Sequence, residues 1–172
     1  MGALRTAARR VLKRDDLRRQ FPQCSFAEGV IVKGRHGFFP GKRCFIDVRA
    51  YLNCAGGAWN QYKGYIRMGD DCEIGPYSVL WGAGGITMGK NVHIGALVSI
   101  SAHERLNSSR DEEAPGVMRF APVVIEDDVM IGSNSTIAPG VRIGHHARIG
   151  VGTAVIRDIE TPAPLDGLAR RV

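Results

Sequence analysis

Of the five histidines in this chain, His103 is the one placed where chemistry would be expected. It opens a charged stretch, from about His103 to Ala121, that contains Glu104, Arg105, Arg110, Asp111, Glu112 and Glu113. A neutral imidazole within hydrogen-bond reach of a hydroxyl can take its proton as the oxygen attacks, an effect worth about 10²–10⁴ in rate. A carboxylate beside the ring would fix its orientation. Glu104 and Asp111 are the candidates for that place, and for contact with a substrate, and spacing does not choose between them. A lone histidine on a loop is as a rule a solvated residue, so the weight of His103 depends on what holds it.

No metal chemistry is expected. Cys24, Cys44, Cys54 and Cys72 form neither a C-x-x-C pair nor a Cys/His cluster with zinc spacing. They read as free thiols of a reducing compartment, which makes the expected location cytoplasmic. The net charge is +6, with seven basic residues between Arg5 and Arg19 and four between Arg148 and Arg171. Solvated surface is one reading. Anionic partners are the other: cofactor phosphates near the C-terminal cluster and lipid headgroups near the N-terminal one. Nucleic acid is not expected, because the basic residues do not alternate with aromatic ones. No apolar run is long enough to span a membrane, and no apolar stretch of a signal peptide opens the chain.

What must position His103 is an internal repeat. Ile125, Ile131, Ile137, Ile143, Ile149 and Val155 recur at every sixth position. Four places after each aliphatic comes a second inward candidate: Val129, Ser135, Val141, Ala147 and Thr153. A period of six fits neither a helix nor a simple alternating strand; it fits a parallel β-helix, each hexad forming one short side and a turn. The register recurs at Met68, Ile74 and Leu80, slips by two residues at Ile86-Thr87, and resumes at Met88, Ile94 and Ile100. A weaker set, Pro40, Ile46 and Leu52, precedes these. Three hexads make one triangular coil, and coils should stack at about 4.8 Å. After Ile100 the hexads stop and restart only near Val124, so residues 103–121 must leave the stack as a loop, beginning at His103.

The N-terminal stretch differs. Leu4, Ala7, Ala8 and Val11 share one helical face among basic residues, and Pro22 ends any helix. Residues 1–21 are therefore expected to be a basic amphipathic helix, either a cap over the first coil or a peripheral contact with the inner face of a membrane. Residues 22–160 are the β-helix with its inserted loop, and 161–172 a C-terminal tail. The fold class is all-β, with one short helix.

Two stretches carry a likeness to a known family. One runs from Gly84 through Met88-Gly89 and Ile94-Gly95 to His103; the other runs from Pro122 through Ile131-Gly132 and Ile143-Gly144 to Ile159. They resemble the hexapeptide-repeat acyltransferases, in particular O-acetyltransferases of surface polysaccharides, with maltose and galactoside O-acetyltransferases as relatives. The resemblance implies a left-handed coil, a homotrimer, acetyl-CoA in a groove between subunits, and transfer of its acetyl group to a sugar hydroxyl with His103 as base. It further implies cofactor contacts at Ser133, Val151, Ile156, Arg157 and Arg171, the two arginines near the phosphates. This chain departs from the family pattern in three places. Met130 stands where a tryptophan is frequent, the tail ends as Gly167 to Val172 without the usual proline, and Gly75 stands where the maltose and galactoside enzymes bind acceptor through asparagine. The last departure argues against those simple sugars as acceptors. The zinc carbonic anhydrases of the same fold need a histidine pair five apart, which is missing here. Two other classes stay open: a sugar-nucleotide N-acyltransferase and a non-catalytic β-helix that serves assembly.

Overall fold

A computed structural model describes residues 11, 12, 14–61, 63–106 and 117–160. Within them the hexads form a three-sided parallel β-helix. The first face stacks Ser25–Phe26, Phe45–Ile46, Glu73–Ile74, His93–Ile94, Met130–Ile131 and Arg148–Ile149 in parallel register. The second stacks Ile31–Lys33, Tyr51–Asn53, Val79–Trp81, Ser99–Ser101, Thr136–Ile137 and Ala154–Val155. The third stacks Phe38–Phe39, Ile66–Met68, Ile86–Met88, Val123–Ile125 and Arg142–Ile143.

The six aliphatics from Ile125 to Val155 all point inward and are at most 5% exposed. Each sits on its equivalent in the next coil, Ile100 on Ile137 and Ile94 on Ile131 among them. Of the second inward set, Val129, Ser135, Val141 and Ala147 are buried, while Thr153 is half-buried in the last complete coil. Ser78 and Ser135 are tolerated inside because each hydroxyl donates to a carbonyl of the next coil, Gly95 O at 2.9 Å and Gly150 O at 3.0 Å. The four cysteines are free and buried. Cys24, Cys44 and Cys72 occupy equivalent places in successive coils and donate to backbone carbonyls. Burial raises the Cys54 thiol pKa, which keeps that group neutral.

The three corners are not alike. Between the first and second faces the chain turns through Gly29, Arg49, Tyr77, Leu97, Asn134 and Gly152, each at positive φ. Between the third and first faces it turns through Arg43, Asp71, Asn91, Asp128 and His146, again at positive φ. Such left-handed single residues make tight corners of constant length. The corner between the second and third faces takes every change of length: the turn at Arg35–Gly37, a longer excursion from Cys54 to Tyr65, the turn at Gly82–Gly84, and the segment after Ala102. The two-residue slip seen at Ile86 is the extra length of the Gly82–Gly84 turn, which leaves both Ile86 and Met88 facing inward.

The N-terminal reading is corrected in part. Val11–Leu12 is a strand, antiparallel to Ile31–Lys33, so Val11 belongs to no helical face. The helix is shorter, Arg14–Gln20, and ends before Pro22. Its Leu17 is fully buried in the core, and Phe21 packs beside it against Phe26 and Phe38. The open first coil gains its cover from these contacts. Leu4, Ala7 and Ala8 lie outside the described residues.

Candidate functional site

His103 stands where the coil gives way to the insertion. Ser99–Ser101 pairs on both edges within the second face, and Ala102, fully buried, ends the run. The chain then leaves as a ribbon in which His103–Leu106 pairs antiparallel with Val117–Phe120. The loop read over residues 103–121 is thus a β-ribbon at both of its ends. Its base is closed where Ala121 N–H donates to Ala102 O at 3.0 Å. Gly84 makes this seat: a Cβ there would lie 2.0 Å from Ala102 O and 2.9 Å from Ala121 N. The backbone of His103 is held too, because Ser101 Oγ donates to His103 O at 2.6 Å.

Aromatic rings surround the imidazole. Trp59, Trp81 and Phe120 have ring centroids 5.1, 6.3 and 6.5 Å from that of His103. The chain has two tryptophans, and both are here. This desolvation lowers the pKa of His103 below its ordinary 6.5, and the Trp81 backbone opposes the shift more weakly. The ring therefore stays neutral, the form a general base requires. Nδ1 is buried and meets no hydrogen-bond partner among the described residues. Asn53, one coil from Trp81 and in register with it, likewise buries an Oδ1 with no partner among the described residues.

Glu104 does not orient the ring. Neighbours along a strand point to opposite sides, and Glu104 turns away from His103 to pair with Arg119, its cross-strand partner, at 2.5 Å. Asp111 and Arg171 lie outside the described residues.

The residues expected at the cofactor divide between corners. Ser133 and Val151 are stacked at the corner between the first and second faces, where Ser133 Oγ accepts from Ala96 N–H at 3.0 Å and Ser133 O from Gly152 N–H at 2.8 Å. Val151 is 74% exposed. Ile156 and Arg157 follow Ala154–Val155 at the other end of the second face, the corner that carries His103. Ile156 is 71% exposed. Because Ile100 is in register with Ile137, His103 and Ser133 are separated by about seven residues of extended path, roughly 20 Å. One subunit does not bring them together.

A second polar cluster lies on the first face. His93 Nδ1 is 3.3 Å from Glu73 and its Nε2 3.0 Å from Asn91, whose amide donates to Asp128 at 2.7 Å; Met130, His146 and Arg148 complete a shallow groove. Farther along, Glu126 holds Arg142 and His145. Among the described residues, no group of three His, Cys, Asp or Glu side chains could hold a metal ion.

Sequence reasoning did not single out Trp59, Trp81, Phe120 or Asn53. The signal available was the pair of tryptophans, one in the irregular stretch after Leu52 and the other just before the register slip.

Residues 122–157 match the model of the bacterial transferase hexapeptide (six repeats), and residues 65–102 match that of the hexapeptide repeat of succinyl-transferase. The two matches lie on either side of the ribbon. It is 37% identical over 86 residues to 2,3,4,5-tetrahydropyridine-2,6-dicarboxylate N-acetyltransferase of Staphylococcus aureus (strain MRSA252), a match covering 50% of this chain and 31% of that protein. The chain spans about half or less of the length of the curated relatives it matches. Among solved structures it is similar to AntD, an N-acyltransferase from Bacillus cereus in complex with dTDP and 3-hydroxybutyryl-CoA, with a TM-score of 0.65, 18% identity, and coverage of 88% of this chain and 81% of that one. It is similar also to a maltose O-acetyltransferase from Clostridium difficile 630, with a TM-score of 0.55, 21% identity, and coverage of 86% and 66%. The fold is that of the left-handed parallel β-helix.

Proposed function

We propose that this protein transfers an acetyl group from acetyl-CoA to a hydroxyl of a sugar, in the assembly of surface polysaccharide or lipopolysaccharide, with His103 as general base. The observation that carries this reading is the imidazole itself. It is half-buried among aromatic rings, held below its ordinary pKa, and fixed by its backbone at the end of a rigid coil. Nε2 accepts the proton of the acceptor hydroxyl as its oxygen attacks the thioester carbonyl. The imidazolium so formed then protonates the departing sulfur, and an acetyl ester and free CoA result. The thioester is already activated, so no covalent enzyme intermediate is required.

The separation of His103 from Ser133 and Val151 supports a homotrimer, in which the groove corner of one copy faces the His103 corner of the next. The exposed Val151 and Ile156 suit such a covered position. Arg157, exposed just past the last strand of the second face, offers positive charge for the cofactor phosphates. We place the protein in the cytoplasm, with peripheral membrane contact through the N-terminal segment. Among the described residues no helix is long and apolar enough to cross a membrane.

Transfer to an amine of a nucleotide sugar is the second reading; the N-acetyltransferase relative supports the amine, not the nucleotide sugar. Labelled acetyl-CoA incubated with sugars, sugar nucleotides and lipid-linked saccharides tests both. An ester product loses its label to mild base and an amide keeps it. No transfer to any acceptor, together with no CoA binding by calorimetry, would remove the enzyme reading.

A further inference from the structure

We propose that Trp59, backed by Phe120, is the platform on which the acceptor stacks, and that the acceptor is a saturated sugar ring laid with its C–H face on the indole and one hydroxyl toward His103. The role of His103 rests on the acyl-transfer reading above; the platform rests on geometry.

Trp59 and Phe120 come from two separate insertions. Trp59 lies in the excursion from Cys54 to Tyr65, and Phe120 lies in the ribbon. Their rings are stacked at 5.6 Å with planes 10° apart, and both approach His103. The excursion is not slack. Asn60 accepts from Gly57 N–H at 2.9 Å and donates to Ala55 O at 3.1 Å and to Ala83 O at 2.9 Å, which fastens the loop to the next coil. All that fastening leaves Trp59 half exposed, with Phe120 at 40% and Trp81 at 36%. An aromatic side chain left in water forfeits about 25 cal/mol for each Å² it does not bury. A loop built only to thicken the core would turn its tryptophan inward.

The chemistry of the patch selects the occupant. An aromatic face is electronegative and an aromatic edge is not. The C–H groups on one face of a pyranose carry slight positive charge and pack against such a face, while the hydroxyls project from the ring edge. An indole beside an imidazole therefore suits a ring that is apolar below and polar around its rim. The half-buried imidazole of His103, 5.1 Å from the indole, gives such a rim a polar neighbour that a plain acyl chain would not use. The competing occupant is the adenine of the cofactor.

Saturation-transfer NMR with methyl β-D-glucopyranoside and methyl β-D-galactopyranoside tests the platform on the full chain. We expect saturation at ring C–H protons with the wild type, its loss in Trp59→Ala and Trp59→Leu, and its retention in Trp59→Phe and His103→Ala. Weakening by roughly two- to tenfold is the expected span for removing one aromatic contact. Circular dichroism checks the fold of each variant, and Trp59→Leu keeps apolar bulk should Trp59→Ala unfold. Three results overturn the proposal: no saturation with the wild type, equal saturation in Trp59→Leu, or displacement of the glycosides by adenosine 3′,5′-bisphosphate. Coenzyme A calorimetry is run beside it. Glycoside stacking without CoA binding would defeat the acyl-transfer reading and leave the platform. CoA binding without glycoside contact would defeat the platform alone.

Discussion

The indole of Trp59 lies 5.1 Å from the imidazole of His103, centroid to centroid, at a tilt of 40°. A tryptophan so close to a titrating ring reports its charge, because an imidazolium quenches indole emission. Steady-state fluorescence of Trp81→Phe, which leaves Trp59 as the one indole, should fall as pH is lowered, with a midpoint below 6.5. The transition should vanish in Trp81→Phe/His103→Ala. A midpoint above 6.5 would show that the aromatic surround does not desolvate His103.

The same shift fixes the pH dependence of activity and of stability. A lowered pKa keeps the base neutral to a lower pH than a free imidazole, so the acidic limb of kcat/KM should fall below 6.5. For stability, the unfolded chain binds this proton more readily than the folded one. The contribution of His103 is therefore present above its unfolded pKa near 6.5 and is lost as pH falls through the folded value. Urea titrations of wild type and His103→Gln between those limits should converge as pH falls.

His103→Ala should lower acyl transfer by about 10² or more and leave CoA affinity little changed. His93→Ala is the control. His93 is also outward, in the same coil, and it carries a carboxylate partner that His103 lacks among the described residues. Equal losses in steady-state assays of the two variants would remove His103 as the base.

Glu104→Gln should leave the rate and its pH profile nearly unchanged, because Glu104 faces Arg119 across the ribbon. Both side chains are more than a third exposed, so the pair is worth at most about 1 kcal/mol. A displaced acidic limb in this variant would show that the ribbon rearranges to bring Glu104 to the imidazole.

Ile100→Ala should cost about 2–5 kcal/mol in chemical denaturation, since the side chain is fully buried between Leu80 and Ile137. Its position two residues before Ala102 should add a loss of activity larger than that of Ile149→Ala, which is remote from the ribbon.

The fold was legible because its core obeys one rule. From Ile125 to Val155 nothing interrupts the six-residue period, and each residue named inward there is covered except Thr153. The first coil was harder: Phe26, Val32 and Phe38 keep the same spacing, but bulky phenylalanines disguise an aliphatic ladder. Of the candidate site, only His103 stood out in the sequence, because the period stops there. Trp59 is far from His103 in sequence, and nothing local says that an excursion one face short of the next strand will fold across two coils. Glu104 meets Arg119 and not the imidazole because adjacency in sequence means opposite sides once the segment is extended.

The two corners of constant length and the single corner of variable length have a practical reading. Residues can be added or removed at the variable corner without rotating any strand about its axis, so the ladder keeps its pairing whatever is inserted. The scaffold behaves like a socket strip with outlets along one edge. Grafting the ribbon or the Cys54–Tyr65 excursion of one such protein onto the matching coil of another should carry over recognition of the guest molecule while the host coil supplies the rigidity.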